Sequence, residues 1–179
     1  MRKLVVTQNM TLDGSVEMLD DWFDPQMQDE ALLEESHRQD EESDALVLGR
    51  QTFEDFRSYW PVQDDDPTGI THYLNTVAKY VVSSTLEDPA WVNSTVLRGD
   101  PVQTVGALKK QDGKDIVVTG SISLAHTLIA AGIVDEYRMF VYPAVQGRGR
   151  PFFPTAGPRL RLLDIAKSFP SGVVLLRYG

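Results

Sequence analysis

The chain has 179 residues, with 26 acidic residues against 17 basic ones and a formal charge of −9. The basic residues are scattered, so no surface neutralises a polynucleotide backbone, and nucleic acid is not an expected partner. Cysteine is absent, which removes disulfides, thiol nucleophiles and thiolate metal sites; the three histidines, His37, His72 and His126, are too far apart in sequence to predict a metal centre.

A chain of this length buries a real core as a single domain, and no linker divides it. The apolar run at Leu4-Val5-Val6 is too short for a signal peptide, and nowhere do about 18 uncharged apolar residues run together, so a cytoplasmic protein without a membrane partner is expected.

In chain order, Leu4 to Asn9 reads as a buried strand ended by Thr11-Leu12-Asp13-Gly14-Ser15, where Asp-Gly marks a turn. A polar loop with Trp22, Phe23 and Asp24-Pro25 leads to an exposed amphipathic helix from about Met27 to Glu42, its thin apolar face formed by Met27, Ala31 and Leu32 or Leu33. Asp44-Ala45-Leu46-Val47-Leu48-Gly49 then breaks at glycine and resumes as a helical pattern carrying Phe53, Phe56 and Trp60. Pro61 to Gly69, with its run Asp64-Asp65-Asp66-Pro67, reads as a solvated surface loop.

Tyr80-Val81-Val82 is the next strand, followed by Ser83-Ser84-Thr85. A short strand over Thr95 to Arg98 precedes Asp100-Pro101, an N-cap with proline at the first helical position, and that helix runs to about Lys110. Ile116 to Val118, a helix from Ile122 to Ala131 closed by Gly132, and a strand from Glu136 to Tyr142 continue the alternation. Arg161 to Ile165 and Val173 to Arg177, separated by Pro170-Ser171-Gly172, predict a C-terminal hairpin. The expected fold is an α/β sandwich, mainly parallel with an antiparallel edge.

Three strand ends carry small or hydrogen-bond-donating residues: Gly49-Arg50-Gln51-Thr52, Ser83-Ser84 and Thr119-Gly120-Ser121. Ligands of open parallel sheets collect at such ends, and the first turn of a helix offers unpaired N–H groups and the positive end of its dipole. Two phosphate cradles on one small chain suggest a dinucleotide, although the spacing is not a G-x-G-x-x-G fingerprint.

Taken in order, Thr11-Leu12-Asp13-Gly14, Leu48-Gly49-Arg50-Gln51-Thr52-Phe53, Val82-Ser83-Ser84, Val118-Thr119-Gly120-Ser121 and Gln146-Gly147-Arg148-Gly149-Arg150-Pro151-Phe152-Phe153 resemble the dihydrofolate reductase-like fold. Within it they are most similar to the reductase domain at the C-terminal end of the bacterial bifunctional riboflavin-biosynthesis deaminase-reductase. The resemblance implies a three-layer α/β/α sandwich, a homodimer, and NADPH lying across the carboxyl edge of the sheet. It implies phosphate contacts from Gly49, Arg50, Gln51 and Thr52, contacts to the adenosine side from Ser83, Ser84 and Arg98, and a pyrophosphate turn at Thr119, Gly120 and Ser121. In the family that turn holds a cis peptide between two glycines, and here Ser121 takes the second place.

The nicotinamide end is expected near the Asp13-Gly14-Ser15 loop, with Gly14 against the cofactor and Trp22, Phe23, Phe53 and Phe56 as walls for a small flat heterocycle, the last two being equally readable as core on helix periodicity. The pterin carboxylate of true dihydrofolate reductases would fall near Leu32 and Leu33, which are apolar, so folate reduction is disfavoured. The candidate acids are Asp13, whose other reading is a cap on its own turn, and Glu30 beside that position. No His-x-Glu with paired cysteines is present, so a deaminase domain is not expected within this sequence. The alternative is a dimeric nucleotide-binding protein that keeps the fold without the chemistry.

Overall fold

Each strand predicted for the parallel part of the sheet is present in the computed structural model, which describes residues 1–25, 29–63, 65–154, 157 and 159–179. Met27, named for the first helix, and Asp64, named in the acidic loop, lie outside the described residues. The strands are β1 (Leu4–Thr11), β2 (Ser43–Gly49), β3 (Ala78–Val82), β4 (Ser94–Leu97), β5 (Asp115–Thr119), β6 (Glu136–Tyr142), β7 (Lys167–Ser168) and β8 (Val174–Tyr178). They form one sheet in the order β4-β3-β2-β5-β1-β6-β8-β7. The strands from β4 to β6 pair in parallel, and β8 and β7 close the far side antiparallel.

Period-2 alternation sorts the side chains to two faces. Leu4, Val6, Val47, Ile116 and Val118 pack against Val105 and Leu108 of α4 (Pro101–Lys109) and Leu124 and Leu128 of α5 (Ile122–Ala130). Val5, Leu46, Leu48, Val81 and Val117 meet Phe53 of α2 (Arg50–Tyr59) and Leu74 of α3 (Ile70–Thr76) on the opposite face. A third cluster joins Leu32 of α1 (Glu30–Glu41) to Phe140, Tyr142 and Leu175. The result is an α/β/α sandwich, as the sequence predicts, and no described helix is long and apolar enough to cross a membrane.

Capping follows the sequence signals. Asp29 accepts from the Leu32 N–H at the start of α1, and Asp100 accepts from the Gln103 N–H ahead of Pro101 in α4. Replacing Asp100→Ala leaves that N–H without its side-chain acceptor and is expected to cost about 1 kcal/mol of stability. A shift of the urea midpoint without a change in slope is the measurement that checks it.

Three expectations are corrected. α1 is not an exposed amphipathic helix with an apolar inner stripe: Glu35 and Gln39 are buried beside Leu32, and Arg38, Gln39 and Lys167 all donate to the Glu35 carboxylate. The segment after the acidic loop forms α3, which the sequence reading passed over. The strand opposite β8 in the C-terminal hairpin is Lys167–Ser168, and Arg161 to Ile165 contributes only a bridge at Leu162 and backbone bonds from Arg161 and Leu163 to the end of β8.

Candidate functional site

The chain returns from β1 to β2 by skipping a strand position, which β5 later fills, so the carboxyl ends of β1, β2 and β5 meet at a switch in strand order. A cleft of about 590 Å³ opens there. Its walls are Gln8 and Asn9 of β1, the Gly49–Thr52 turn, Asp55 and Phe56 of α2, the Thr119–Leu124 turn, the loop residues Val16 to Leu19 with Phe23, and Arg150.

The two helix starts in this cleft differ from those of α1 and α4, because neither Gly49 nor Ser121 caps its own helix with a side chain. The turns hold each other instead: the Gly49 N–H donates to Ser121 Oγ at 2.9 Å, and the Ser121 N–H donates to Thr52 Oγ1 at 2.8 Å. Gln8 donates its side-chain N–H to the Gly120 carbonyl, tying β1 to the same turn. Gly120 sits at φ +56, where a Cβ would lie 2.8 Å from Thr52 Cγ2, so a side chain has neither the conformation nor the room it needs. The Gly120–Ser121 peptide is trans, which settles an isomer the sequence left open, and Ser121 adopts a left-handed φ of 42°. Arg50 is half exposed, 3.7 Å from Glu54 one helical turn on.

Of the residues expected to touch a cofactor, Gly49, Arg50, Gln51, Thr52, Thr119, Gly120 and Ser121 line this cleft together. Ser83, Ser84 and Arg98 lie along the same edge of the sheet but outside its walls. Ser83 Oγ accepts from the Thr85 and Leu86 N–H groups, and Arg98 donates to the Ser84 carbonyl at 2.9 Å and the Leu86 carbonyl at 2.6 Å. Gly14 is likewise outside the cleft, at φ +88 in a turn closed by bonds to Thr11 and Phe152.

The aromatic walls are redistributed. Phe53 is fully buried, its ring 5.7 Å from Trp91, and belongs to the core; its turn of α2 faces the sheet, and Phe56 one turn later reaches the cleft. Trp22 stands behind the cleft, with its Nε1–H on Gln146 Oε1 at 2.9 Å and its ring against Phe23 and Tyr142. Of the four expected walls, Phe23 and Phe56 line the cleft.

Neither candidate acid reaches it. The Asp13 carboxylate accepts from the Thr11 hydroxyl and from the N–H groups of Gly147 and Gln146, which hold its pKa down at about 2, so it is an ionised brace between two loops. Glu30 is exposed and borders a separate cavity of about 690 Å³ with Leu33, Tyr59 and Trp60. The residue that sequence reasoning missed in this region is Gln146, which donates to Ser15 Oγ and to the carbonyls of Glu17 and Arg148 while accepting from Trp22 and the Leu19 N–H. Its partners are more than 120 positions away in sequence, except for Arg148, so only the fold reveals it.

A second, smaller hollow lies between α1 and the sheet. About 170 Å³ in volume, it is bordered by Thr7, Ser36, Gln39, Asp40, Arg138 and Phe140, and it shares Gln8, Asn9 and Thr119 with the cleft. Burial pushes the Asp40 carboxyl up to about 7, against the pull of His37 and Arg138. A carboxyl whose folded pKa exceeds its unfolded one favours the fold while protonated. Stability therefore falls as pH rises from the ordinary value of 3.8 towards 7, and levels off above. The whole interval would be worth about 4 kcal/mol, and water reaching the part-exposed carboxyl reduces that to about 2. Asp40→Asn is expected to exceed the natural protein in stability by that amount at pH 8 and to match it below about pH 4, measured by urea unfolding at both.

The fold and the cleft define an α/β sandwich of the dihydrofolate reductase type. The family model described as the RibD C-terminal domain matches residues 2–175, and the chain belongs to that family. It is 31% identical over 189 residues to YyaP of Bacillus subtilis strain 168, an uncharacterised protein, covering 99% of this chain and 94% of that one. Among solved structures, a pyrimidine reductase-like protein from Corynebacterium diphtheriae superposes with a TM-score of 0.68 at 18% identity, over 99% of this chain and 91% of that one. A deaminase/5-amino-6-(5-phosphoribosylamino)uracil reductase from Thermotoga maritima gives 0.67 at 16% identity, covering 99% of this chain and 56% of that longer one. Dihydrofolate reductase from Enterococcus faecalis, complexed with NADP(H), gives 0.60 at 16% identity over 98% and 95% of the two chains.

Proposed function

We propose that this protein is an NADPH-dependent reductase of a small, flat, polar heterocycle. The observation that carries the reading is the pair of helix starts without side-chain caps, α2 and α5, locked to each other by the Gly49, Ser121 and Thr52 bonds inside one cleft. Their first-turn N–H groups suit the two phosphates of a dinucleotide, and Gly120 keeps the backbone bare where a pyrophosphate would pass. Arg50, half exposed at the rim, suits a bidentate contact to an adenosine 2′-phosphate and so favours NADPH over NADH.

Bound there, the reduced nicotinamide supplies a hydride; the protein supplies position, a dry surface and charge. Phe23, Phe56, Met18 and Leu19 give the cleft an apolar lip against which a flat ring packs and from which water is excluded. Arg150 is tied to Glu17 at 2.7 Å and to Ser123 at 3.2 Å, which fixes the lip over the start of α5.

The test is consumption of NADPH by the purified protein with three acceptors: the ribosylaminouracil phosphate named for the Thermotoga maritima relative, its dephosphorylated form, and a dihydropterin. Acceptor-dependent loss of nicotinamide absorbance with any of them supports the reading. Binding of NADPH with no consumption across all three would replace it with the non-catalytic nucleotide-binding alternative.

A further inference from the structure

The cavity that Glu30 borders is larger than the cleft, at about 690 Å³ against about 590 Å³, and the reductase reading leaves it unused. Its shape begins with Pro61. Proline does not let α2 continue past Tyr59, so the chain tightens into one 3₁₀ turn, Trp60–Val62, which the Gln63 side chain ties back to the Tyr59 carbonyl at 3.0 Å. The turn sets Tyr59 and Trp60 edge to face, with ring centroids 4.9 Å apart and planes at 89°. Both rings line the cavity, together with Leu33 of α1.

Three carboxylates share this lining: Glu30, Asp65 and Asp66. Asp66 is committed to the start of α3, where it accepts from the Thr68 N–H and hydroxyl and from the Thr71 N–H at 2.8 Å. Glu30 and Asp65 are exposed and have neither a hydrogen bond nor an ion pair among the described residues. No lysine, arginine or histidine is among the described residues that line the cavity. Acidic residues alone describe a solvated surface. Here they rim a space of ligand size beside a corner of two aromatic rings, and the group that carboxylates and ring faces both attract is a cation on an apolar body.

The cavity also adjoins the cleft. Phe56 of the cleft lies one helical turn before Tyr59 and Trp60, and Phe23 of the cleft lies two residues before Pro25 of the cavity, so the two open side by side along α2. Of the cations that line the cleft, Arg50 is assigned to the cofactor and Arg150 is held by Glu17 at 2.7 Å. A phosphate on the acceptor would therefore meet carboxylates in the cavity with nothing to offset them.

We propose that the cavity seats the ammonium group of an organic cation, and that the acceptor reduced in the cleft carries such a group instead of the phosphoribosyl group in the name of the Thermotoga maritima relative. The second clause rests on the reductase reading; the first does not. Tyr59 and Trp60 hold the cation by their ring faces, Glu30 and Asp65 supply the opposite charge, and Leu33 packs the apolar body.

Two measurements test the proposal. The first uses phenyltrimethylammonium, with benzyl alcohol as the neutral comparison and phenyl phosphate as the anionic one, followed at the indole N–H signals of Trp22, Trp60 and Trp91 by nitrogen-15 NMR. Trp60→Phe assigns the signal. The Trp60 signal is expected to move with the cation at millimolar concentration, at least about fivefold more tightly than with benzyl alcohol, and not to move with phenyl phosphate. Glu30→Gln with Asp65→Asn, both exposed, is expected to weaken the cation about tenfold and benzyl alcohol not at all, with the Trp22 and Trp91 signals reporting an intact fold. No movement of Trp60 with the cation, equal binding of the three probes, or an unchanged cation affinity in the double variant would overturn the proposal.

The second compares NADPH consumption with the ribosylaminouracil phosphate and with the same acceptor bearing an amino group in place of the phosphate. The amino form is expected to have the higher kcat/KM, by about tenfold or more, and the gap to close in the double variant. Preference for the phosphate form would sink the second clause and leave the reductase reading standing. A natural protein that consumes no NADPH with any acceptor removes the reductase reading and the second clause with it, while the NMR titration still decides the first.

Discussion

Glu136→Gln is expected to lower the unfolding free energy by about 3–5 kcal/mol, the largest stability loss in this account. Glu136 and Arg138 are each only 1% exposed, and three cations converge on the glutamate: Arg138 at 2.8 Å, Arg177 at 2.7 Å and Lys3 at 3.4 Å. Burial works against the ionised carboxylate, yet the two arginines hold its pKa below the ordinary glutamate range. Removing the charge leaves two guanidinium groups beside each other without the buried carboxylate that compensates both; Arg138 keeps only Glu42 at 3.1 Å and Asp115 at 3.5 Å, and Arg177 only Asp164 at 4.0 Å, and a buried ion stripped of its nearest counter-charge costs more than the pair was stabilising. Replacing Glu136 and Arg138 together with apolar residues is expected to cost much less than the single change, and a double-mutant cycle by urea unfolding checks both statements. Because the glutamate's folded pKa is depressed, its contribution is full above the ordinary glutamate range and fades as pH falls through the folded value.

Gly120→Ala is expected to weaken NADPH binding at least about tenfold, with the fold retained. The added methyl meets Thr52 Cγ2 at 2.8 Å and must adopt φ +56, so the strain falls on the turn that joins α5 to the start of α2. Thr52→Ser removes Cγ2 while keeping the hydroxyl that accepts from the Ser121 N–H. In the Gly120→Ala background it is expected to recover part of the lost affinity, because it relieves the contact and leaves only the backbone strain. Calorimetric titration of the two variants separates these contributions; equal affinity in all forms would show that the turn does not touch the nucleotide.

Signals local in sequence survived the step to three dimensions. The strand Glu136–Tyr142 has the expected bounds, and Asp100-Pro101 opens α4 because cap and proline act within four residues. The Gly49 and Gly120 turns were legible for the same reason, since a strand handing over to a helix needs small residues there whatever else the fold does. What the sequence concealed depends on distant partners. Lys79 reads as a solvent residue, yet it is fully buried in β3, donating to the carbonyls of Leu74 and Val77 with its ammonium 4.7 Å from the Trp91 ring. α3 is seven residues long and too brief to show a helical period. Asp40 and Glu35 sit on a helix so acidic that solvation was the natural reading, and only β6 and Lys167 packing against it turn those carboxylates inward.

The same distinction separates the aromatic residues. Helical spacing grouped Phe53 with Phe56, and spacing alone does not say which of the two faces the sheet. Phe53 enters the core and Phe56 meets the cleft, so of the two candidates on α2 only Phe56 forms a wall. Asp13 shows the converse, because the turn cap weighed as its other reading is what the geometry displays, extended by two bonds from the loop at Gln146 and Gly147.

The central claim is that the paired helix starts hold a nicotinamide dinucleotide and that Arg50 selects the phosphorylated form. Calorimetric titration of the natural protein and of Arg50→Ala with NADPH and with NADH tests it most directly. The account predicts NADPH binding tighter than NADH, and a loss of about tenfold to a hundredfold in Arg50→Ala that falls on NADPH alone. Failure of both nucleotides to bind the natural protein would contradict it.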